Sequence, residues 1–216
     1  MILKKIQKNE KNVIKEEYYN MAKIILITHQ KGGVGKSTLT FNLAQNISNN
    51  AKVAVLDFDL QGSLSRLKEM ADDFDIIPYQ DPIDLIDDLD YDFIFIDTPP
   101  YLSNHLAKLI QIADLIIIPT KAGILDLLAI ESTINLIKSE NKIEQSMVVF
   151  NMIKINTTLT MDILMGLNEY NIKIANTHIS DLVAFTRSVL VKGIKNDRNA
   201  QKQLDNFTNE VLTALI

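Results

Sequence analysis

A glycine-rich segment between an apolar stretch and a helix-like stretch is the feature that most limits how this chain can fold. Residues 30–38 read Gln-Lys-Gly-Gly-Val-Gly-Lys-Ser-Thr and come shortly after the apolar residues 24–27. Glycine tolerates positive φ, so consecutive backbone N–H groups in such a loop can converge on an anion. The helix predicted from Ser37 adds the positive end of its dipole at the same point. The segment therefore predicts a strand, a phosphate-binding loop and a helix, in that order.

Apolar strands alternate with helix-patterned segments from Lys23 onward, which indicates βαβ units on a parallel sheet. Near-continuous apolar runs, such as residues 116–118, are typical of strands covered on both faces. The predicted strands are 23–28, 52–57, 75–78, 93–97, 115–119, 147–151 and 172–177. The predicted helices are 37–49, 63–70, 82–89, 104–112, 124–139, 158–171, 183–191 and 198–215. We therefore expect an α/β fold, a single doubly wound and mostly parallel sheet with helices on both faces, spanning residues 21–216.

Residues 1–20 are rich in Lys and Glu and precede what looks like the natural start of the domain at Met21. We expect an N-terminal extension that is disordered or forms a helical arm, or that comes from an upstream start codon, because charged termini are usually poorly ordered. The chain of 216 residues has no cysteine, which excludes disulfides and thiolate-bound clusters. No apolar run is long enough to cross a membrane, and the N-terminus has no apolar signal core. These properties fit a cytoplasmic location.

Two side chains of the glycine-rich segment carry phosphate and metal chemistry. Lys36 supplies a cation for β- and γ-phosphates, and the Ser37 hydroxyl supplies a ligand for Mg²⁺. The pattern departs from the regular P-loop because Gln30 stands where the first glycine is expected, and a second lysine, Lys31, follows it. The sequence predicts a nucleotide-binding loop made of Lys31, Gly32, Gly33, Val34, Gly35, Lys36, Ser37 and Thr38.

Three aspartates follow apolar strands. Asp57 and Asp59 end the second strand, and Asp97 ends the strand at residues 93–97 in the manner of a Walker B carboxylate. Because ligands of open α/β sheets bind at the carboxyl ends of strands, we expect these carboxylates to face the phosphate site. A carboxylate in this place can hold a Mg²⁺-bound water or orient an attacking water. The alternative is that they are strand-end loop acids without a chemical role. The histidines, by contrast, have no metal-ligand spacing, and we expect His29 to be an ordinary loop residue.

The sequence Lys-Gly-Gly-Val-Gly-Lys-Ser-Thr at residues 31–38 resembles the deviant P-loop of the ParA/MinD family of ATPases. The resemblance extends over nearly the whole chain after Met21. It implies that Lys31 reaches across an ATP-sandwich dimer to the partner's phosphates, and that Lys31, Lys36 and Asp59 form the catalytic set.

The same resemblance implies roles for the strand-end residues. Asp59 would position the hydrolytic water, while Asp57 and Asp97 would join Ser37 around the metal. Leu60 replaces the proline that often follows the aspartate pair in this family, whereas Gln61 and Gly62 match. The Thr-Pro-Pro after Asp97 resembles the family's switch loop.

Asn151 ends the sixth predicted strand, and the resemblance implies a hydrogen bond from this amide to the purine ring. A strand-end turn residue is the alternative. The residues that follow, Met-Ile-Lys, do not form the Asn-Lys-x-Asp guanine motif. This difference favours ATP over GTP.

The net charge of −5 argues weakly against nucleic acid, but the acidity is local. Residues 69–97 hold eleven acids and no Lys or Arg, which leaves 22 basic against 16 acidic residues elsewhere. Residues 185–202 contain one acid, Asp197, and five cations: Arg187, Lys192, Lys195, Arg198 and Lys202. The resemblance implies that this segment gives the ATP-bound dimer a nonspecific DNA surface. A solvated helix face is the alternative.

The chain is most similar to short plasmid-type ParA partition ATPases without a helix-turn-helix domain. This implies a weak ATPase that forms a homodimer with ATP and Mg²⁺ and binds DNA nonspecifically, on the nucleoid. A ParB-type centromere-binding partner would stimulate slow hydrolysis. A MinD-like membrane ATPase is the first alternative, but residues 204–216 contain no Lys or Arg and their apolar spacing predicts core packing, so no membrane is expected. A cargo-positioning or conjugation ATPase of the same family fits equally well. A small-molecule ligase or synthetase would need a further cluster of catalytic residues around a substrate pocket, and no such cluster stands out in the sequence.

Overall fold

The structure is a computed structural model of the whole chain, and it describes residues 2–8, 14–59, 64–100, 105–154, 161–188, 190, 193–194 and 196–216. The strands are β1 (Ile2–Lys8), β2 (Ile14–Asn20), β3 (Lys23–Ile27), β4 (Val53–Asp57), β5 (Asp75–Pro78), β6 (Phe93–Asp97), β7 (Leu115–Thr120), β8 (Ser146–Phe150) and β9 (Lys173–Ile174). The helices are α1 (Lys36–Ile47), α2 (Leu106–Ile112), α3 (Ile124–Ser139), α4 (Met161–Asn168), α5 (Val183–Arg187) and α6 (Arg198–Ala214). Two 3₁₀ segments span Ser65–Met70 and Ile83–Asp88.

Seven strands form one all-parallel sheet in the order β5-β4-β6-β3-β7-β8-β9. Two separate clusters of buried apolar side chains contain alternate residues of the central strands, as Ile25 and Leu26 of β3 illustrate. Successive strand residues point to opposite faces, so each cluster fills the space between one face and its helices. The predicted doubly wound α/β fold is confirmed.

The segments predicted as helices at 63–70 and 82–89 are short 3₁₀ turns instead. The tighter 3₁₀ turn is common in short connections between strands. The strands at the two edges of the sheet are poorly suited to pairing with a further strand. At one edge, β5 carries the exposed Asp75 and Pro78, and at the other, β9 has only two residues.

The register of the central strands brings the predicted site residues to one edge of the sheet. Asp97 lies opposite Asp57 on β4 and opposite Ile27 on β3, where the glycine-rich loop departs. The hydroxyl of Thr98 donates to the Ile27 carbonyl at 3.0 Å and ties the two strand ends together. All three strand ends therefore meet where a ligand of an open α/β sheet binds.

Strands β1 and β2 form a separate antiparallel pair, in register from Ile2 opposite Asn20 to Lys8 opposite Ile14. The described part of the N-terminal extension is thus extended, where its charge had suggested disorder or a helical arm. Isoleucines in both segments and the tyrosine pair in the second have high strand propensity.

Candidate nucleotide-binding site

The glycine-rich loop leads directly into α1, and the N-terminus of this helix has no side-chain cap. Gly33 has φ of 70°, and Gly35, at the N-cap of α1, has φ of 88°. No side chain hydrogen-bonds the first amides of α1 at this cap. These amides, together with the helix dipole, can therefore receive an anion such as a phosphate.

Asn151 fixes the end of the loop. It follows β8, is buried, and its Nδ2 donates a hydrogen bond to the Val34 carbonyl at 2.8 Å. A Cβ atom at Gly35 would lie 2.3 Å from this Nδ2, so only glycine fits here, in addition to its positive φ. Asn151 thus holds the loop in shape, and its contact with a purine ring stays a prediction.

A cavity of about 110 Å³ lies beside Asn151, between the start of α1 and α5. Its lining mixes apolar and polar groups. The lining residues are Thr38, Leu39, Asn151, Met152, Ile179, Ser180, Asp181, Leu182, Phe185 and Thr186.

The Lys36 side chain is buried at the front of the loop. Its Nζ donates to the carbonyls of His29 at 3.0 Å and Lys31 at 3.2 Å. Burial lowers the pKa of Lys36, while the carboxylates of Asp97 and Asp59 act in the opposite direction. A buried cation supported by two carboxylates is thus available at the position predicted for the phosphates.

Ser37 and Asp97 form the candidate metal site. The Ser37 hydroxyl donates to Asp97 Oδ2 at 2.6 Å, and Asp97 is fully buried. Burial raises the pKa of Asp97 to about 7, although the Ser37 hydrogen bond favours the ionised form. Both side chains offer hard oxygen donors, which Mg²⁺ prefers, and a divalent cation would offset the cost of burying this carboxylate. The residues therefore fit the predicted metal.

The Asp57 carboxylate is engaged by the protein itself. Its Oδ2 accepts hydrogen bonds from Ser65, from the backbone N at 2.8 Å and from Oγ at 2.7 Å. Its Oδ1 accepts the backbone N–H of Asp59 at 3.0 Å. The predicted link between Asp57 and the metal stays a prediction, while Ser65 is a partner that the sequence analysis missed.

The second lysine of the loop, Lys31, does not bind its own phosphate loop. Its Nζ lies 2.5 Å from Oδ1 of Asp126, in the first turn of α3. The sequence analysis missed Asp126. The available signal was an acid in the first turn of a predicted helix that follows a strand ending at the same edge of the sheet.

His29 is not the ordinary loop residue expected from the sequence. It is fully buried, and its Nδ1 accepts the backbone N–H of Lys31 at 2.9 Å. The imidazole must therefore be neutral, with its proton on Nε2, which has no hydrogen-bond partner in the described part of the chain. Burial lowers the pKa of His29 from 6.5 to about 4, and the charge of Lys36 adds to this.

Acidification from pH 7 to pH 5 is expected to destabilise the wild type relative to His29→Asn by about 2 kcal/mol. Between pH 6.5 and pH 4 the unfolded chain takes up a proton at His29 that the folded chain does not. The free energy of unfolding therefore falls by roughly 1.4 kcal/mol per pH unit below 6.5, and above 6.5 the full contribution is present. Denaturant titrations of both proteins at both pH values measure the difference.

The comparison with His29→Asn is needed because protonation of Asp97 changes the free energy of unfolding in the opposite direction. Its raised pKa means that the folded chain takes up a proton first, so its contribution to stability grows as the pH falls below about 7. Both proteins contain Asp97, and its effect cancels in the difference. An equal pH dependence for the two proteins would contradict the assignment of His29 as a buried neutral imidazole.

The predicted basic segment is only partly described. Arg187, at the end of α5, and Arg198 and Lys202, one turn apart on α6, have exposed side chains. No ion pair joins these three to another described residue. Lys192 and Lys195 lie outside the described residues.

Comparison with known proteins agrees with this geometry. The CobQ/CobB/MinD/ParA nucleotide-binding domain family matches residues 25–192 of the chain. The maintenance of carboxysome distribution protein A of Halothiobacillus neapolitanus is 25% identical over 212 residues, which cover 89% of this chain and 98% of that protein.

Two solved structures are similar in fold. A plasmid partition protein from Borrelia burgdorferi B31 bound to AMPPNP has a TM-score of 0.71 and 22% identity, and the match covers 90% of this chain and all of that one. The MinC:MinD cell division complex of Aquifex aeolicus has a TM-score of 0.72 and 19% identity, covering 89% of this chain and 96% of that one. With its loop, its strand-end carboxylates and its matching family domain, the chain belongs to the CobQ/CobB/MinD/ParA nucleotide-binding family, as a P-loop ATPase of the ParA/MinD type.

Proposed function

We propose that this protein is a DNA-partition ATPase that dimerises around two Mg·ATP molecules and binds DNA nonspecifically in that state. The observation that carries the proposal is the position of Lys31. Lys31 is one of the first residues of the phosphate loop, but its ammonium group bonds to Asp126, which lies outside that loop. A lysine held in this place is suited to exchange Asp126 for the phosphates of a second copy.

Each remaining side chain of the site has a role in this proposal. Lys36 and the first amides of α1 hold the β- and γ-phosphates. Ser37 and Asp97 hold Mg²⁺, which neutralises phosphate charge during transfer. Asp59 orients the attacking water. Hydrolysis is slow until a ParB-type partner stimulates it, so that ATP occupancy times the association with DNA.

Contacts along α1 support a link between the nucleotide and the basic segment. Asn42 Nδ2 donates to the buried Ser188 Oγ at 2.9 Å, at the end of α5. Asn46 Nδ2 donates to Thr208 Oγ1 of α6 at 3.0 Å, and Gln201 Nε2 donates to Asn46 Oδ1 at 3.0 Å. The helix that begins at the phosphate loop is therefore bonded to both helices that carry the exposed cations. A shift of α1 on nucleotide binding would be transmitted to them.

The membrane-bound alternative finds less support. The apolar residues of α6 pack into the core, including Leu204, Phe207 and Val211. This leaves no apolar face on the helix for a lipid surface. Among the described helices, none combines the length and the apolar character that crossing a bilayer requires.

Cargo positioning is a second candidate function, favoured by the likeness to the carboxysome distribution protein over nearly its full length. In that case the same ATP-dependent dimer would distribute a protein assembly instead of a plasmid. The identity of the stimulating partner separates the two candidates, since a partner that binds a defined DNA site points to partition.

Retention on DNA tests the proposal. We expect the wild type to bind an unrelated duplex only with Mg·ATP, and the binding to weaken steeply between low and moderate salt. In Arg198→Ala/Lys202→Ala the slope of log affinity against log salt should fall by about 2, because each lost phosphate contact removes about one unit. Fluorescence anisotropy at several salt concentrations measures the slope.

The matched control is Lys108→Ala/Lys173→Ala, which removes two exposed lysines of α2 and β9 and the same net charge. It should keep the wild-type slope. Binding that is independent of ATP, or no binding at all, would contradict the DNA proposal. Sedimentation with anionic vesicles instead of DNA would support the membrane-bound alternative.

A further inference from the structure

The Asp57 carboxylate accepts hydrogen bonds from two residues that follow it in sequence, Asp59 and Ser65. On one side, Oδ1 accepts the Asp59 amide at 3.0 Å, two residues on. On the other side, Oδ2 accepts both the amide and the hydroxyl of Ser65, at 2.8 and 2.7 Å. Three of the about four acceptor positions of the carboxylate are thus used within the protein.

Ser65 lies next to a residue that is packed into the core. It opens the 3₁₀ segment Ser65–Met70, and its neighbour Leu64 is buried in the apolar cluster next to α1. Asp57 is itself buried at the end of β4, between the paired strands β5 and β6. Hydrogen bonds to an ionised acceptor are about twice as strong as neutral ones. The bonds from Ser65 therefore connect the start of the 3₁₀ segment to the end of β4, two residues before Asp59.

We propose that Ser65 is a positioning residue for ATP hydrolysis, which acts through Asp57 to set the place of Asp59. The hydroxyl of Ser65 orients the Asp57 carboxylate so that Oδ1 meets the Asp59 amide. This fixes the backbone from which the Asp59 carboxylate extends toward the water. Ser65 touches neither nucleotide nor metal in this role. The inference rests on the proposed function, because it takes Asp59 to be the residue that orients water.

Ser65→Ala tests the inference, since it removes the Oγ bond and keeps the amide bond. The basal kcat for ATP hydrolysis at saturating Mg²⁺ should fall about tenfold, the cost of one hydrogen bond to a charged group. The KM for ATP and the Mg²⁺ concentration for half-maximal rate should stay within about twofold of wild type, because neither depends on Asp59.

Ser65→Thr keeps a hydroxyl and should restore kcat. Ser132→Ala is the matched control, since the exposed Ser132 hydroxyl donates to the Ala129 carbonyl of its own helix.

A second measurement does not depend on activity. Hydrogen exchange of the Asp59 amide, followed by NMR, should become several-fold faster in Ser65→Ala and return to the wild-type rate in Ser65→Thr. If the wild type hydrolyses no ATP, the proposed function fails, while the exchange result still decides the structural link. An unchanged kcat with unchanged Asp59 exchange would overturn the inference. A shifted Mg²⁺ requirement at constant kcat would also overturn it, because Ser65 would then serve a metal ligand.

Discussion

Lys36→Ala is expected to abolish ATP binding, with a loss of affinity of more than about 100-fold. The wild-type ammonium is buried at the front of the loop, where it would meet the β- and γ-phosphates. Losing a charge-assisted contact to a phosphate in a desolvated site costs about 3 kcal/mol, and two such contacts cost more. Titration with a fluorescent ATP analogue measures the affinity.

Two further variants make the result specific. Lys36→Gln keeps a donor for the carbonyls of His29 and Lys31, which separates the loss of charge from a change in loop shape. It should also fail to bind. Lys52→Ala removes an exposed lysine paired with Asp90 and should bind as the wild type does. Tight binding by Lys36→Ala would refute the P-loop assignment.

Asp59→Ala is expected to trap an ATP-bound dimer and to reduce hydrolysis by about 10²- to 10⁴-fold, the usual range for a lost general base. Only the side chain is removed, and the Asp59 amide keeps its bond to Asp57, so that the segment retains its anchor. Lys36, Ser37 and Asp97, the residues proposed to hold the nucleotide and its metal, are unchanged in this variant. Light scattering with Mg·ATP should therefore give twice the monomer mass, persisting for much longer than in the wild type.

Addition of Lys31→Ala supplies the contrast for this experiment. Since Lys31 is proposed to bind the phosphates of the second copy, the double variant Lys31→Ala/Asp59→Ala should remain monomeric while still binding ATP. A monomeric Asp59→Ala under the same conditions would contradict the role of Asp59, and a dimeric double variant would contradict that of Lys31.

The fold could be predicted because local patterns and the global arrangement agree. Short apolar runs such as residues 93–97 are typical of strands covered on both faces, and the predicted bounds of that strand match β6. Glycines 33 and 35 have the positive φ that the motif requires. Parallel pairing then carries Asp57 and Asp97 to adjacent positions, as expected from their places at strand ends.

The missed residues depend on contacts between parts of the chain that are distant in sequence. Asp126 meets Lys31 across 95 residues, and its place in the first turn of a predicted helix does not by itself indicate this partner. His29 follows an apolar strand as a loop residue would, and only the packing around the loop makes it a buried neutral acceptor. Ser65 lies eight residues beyond Asp57 in sequence, and only the folded structure shows that its hydroxyl donates to the Asp57 carboxylate.

The weak edges of the sheet bear on how this protein can associate with itself. An open edge invites a strand from another molecule, but Asp75 places a charge at the start of β5, Pro78 at its end has no N–H to donate, and β9 offers only two residues. Sheet extension between copies is thereby disfavoured at both ends. Under the proposed function, self-association then falls to the face around the phosphate loop, where nucleotide would control it.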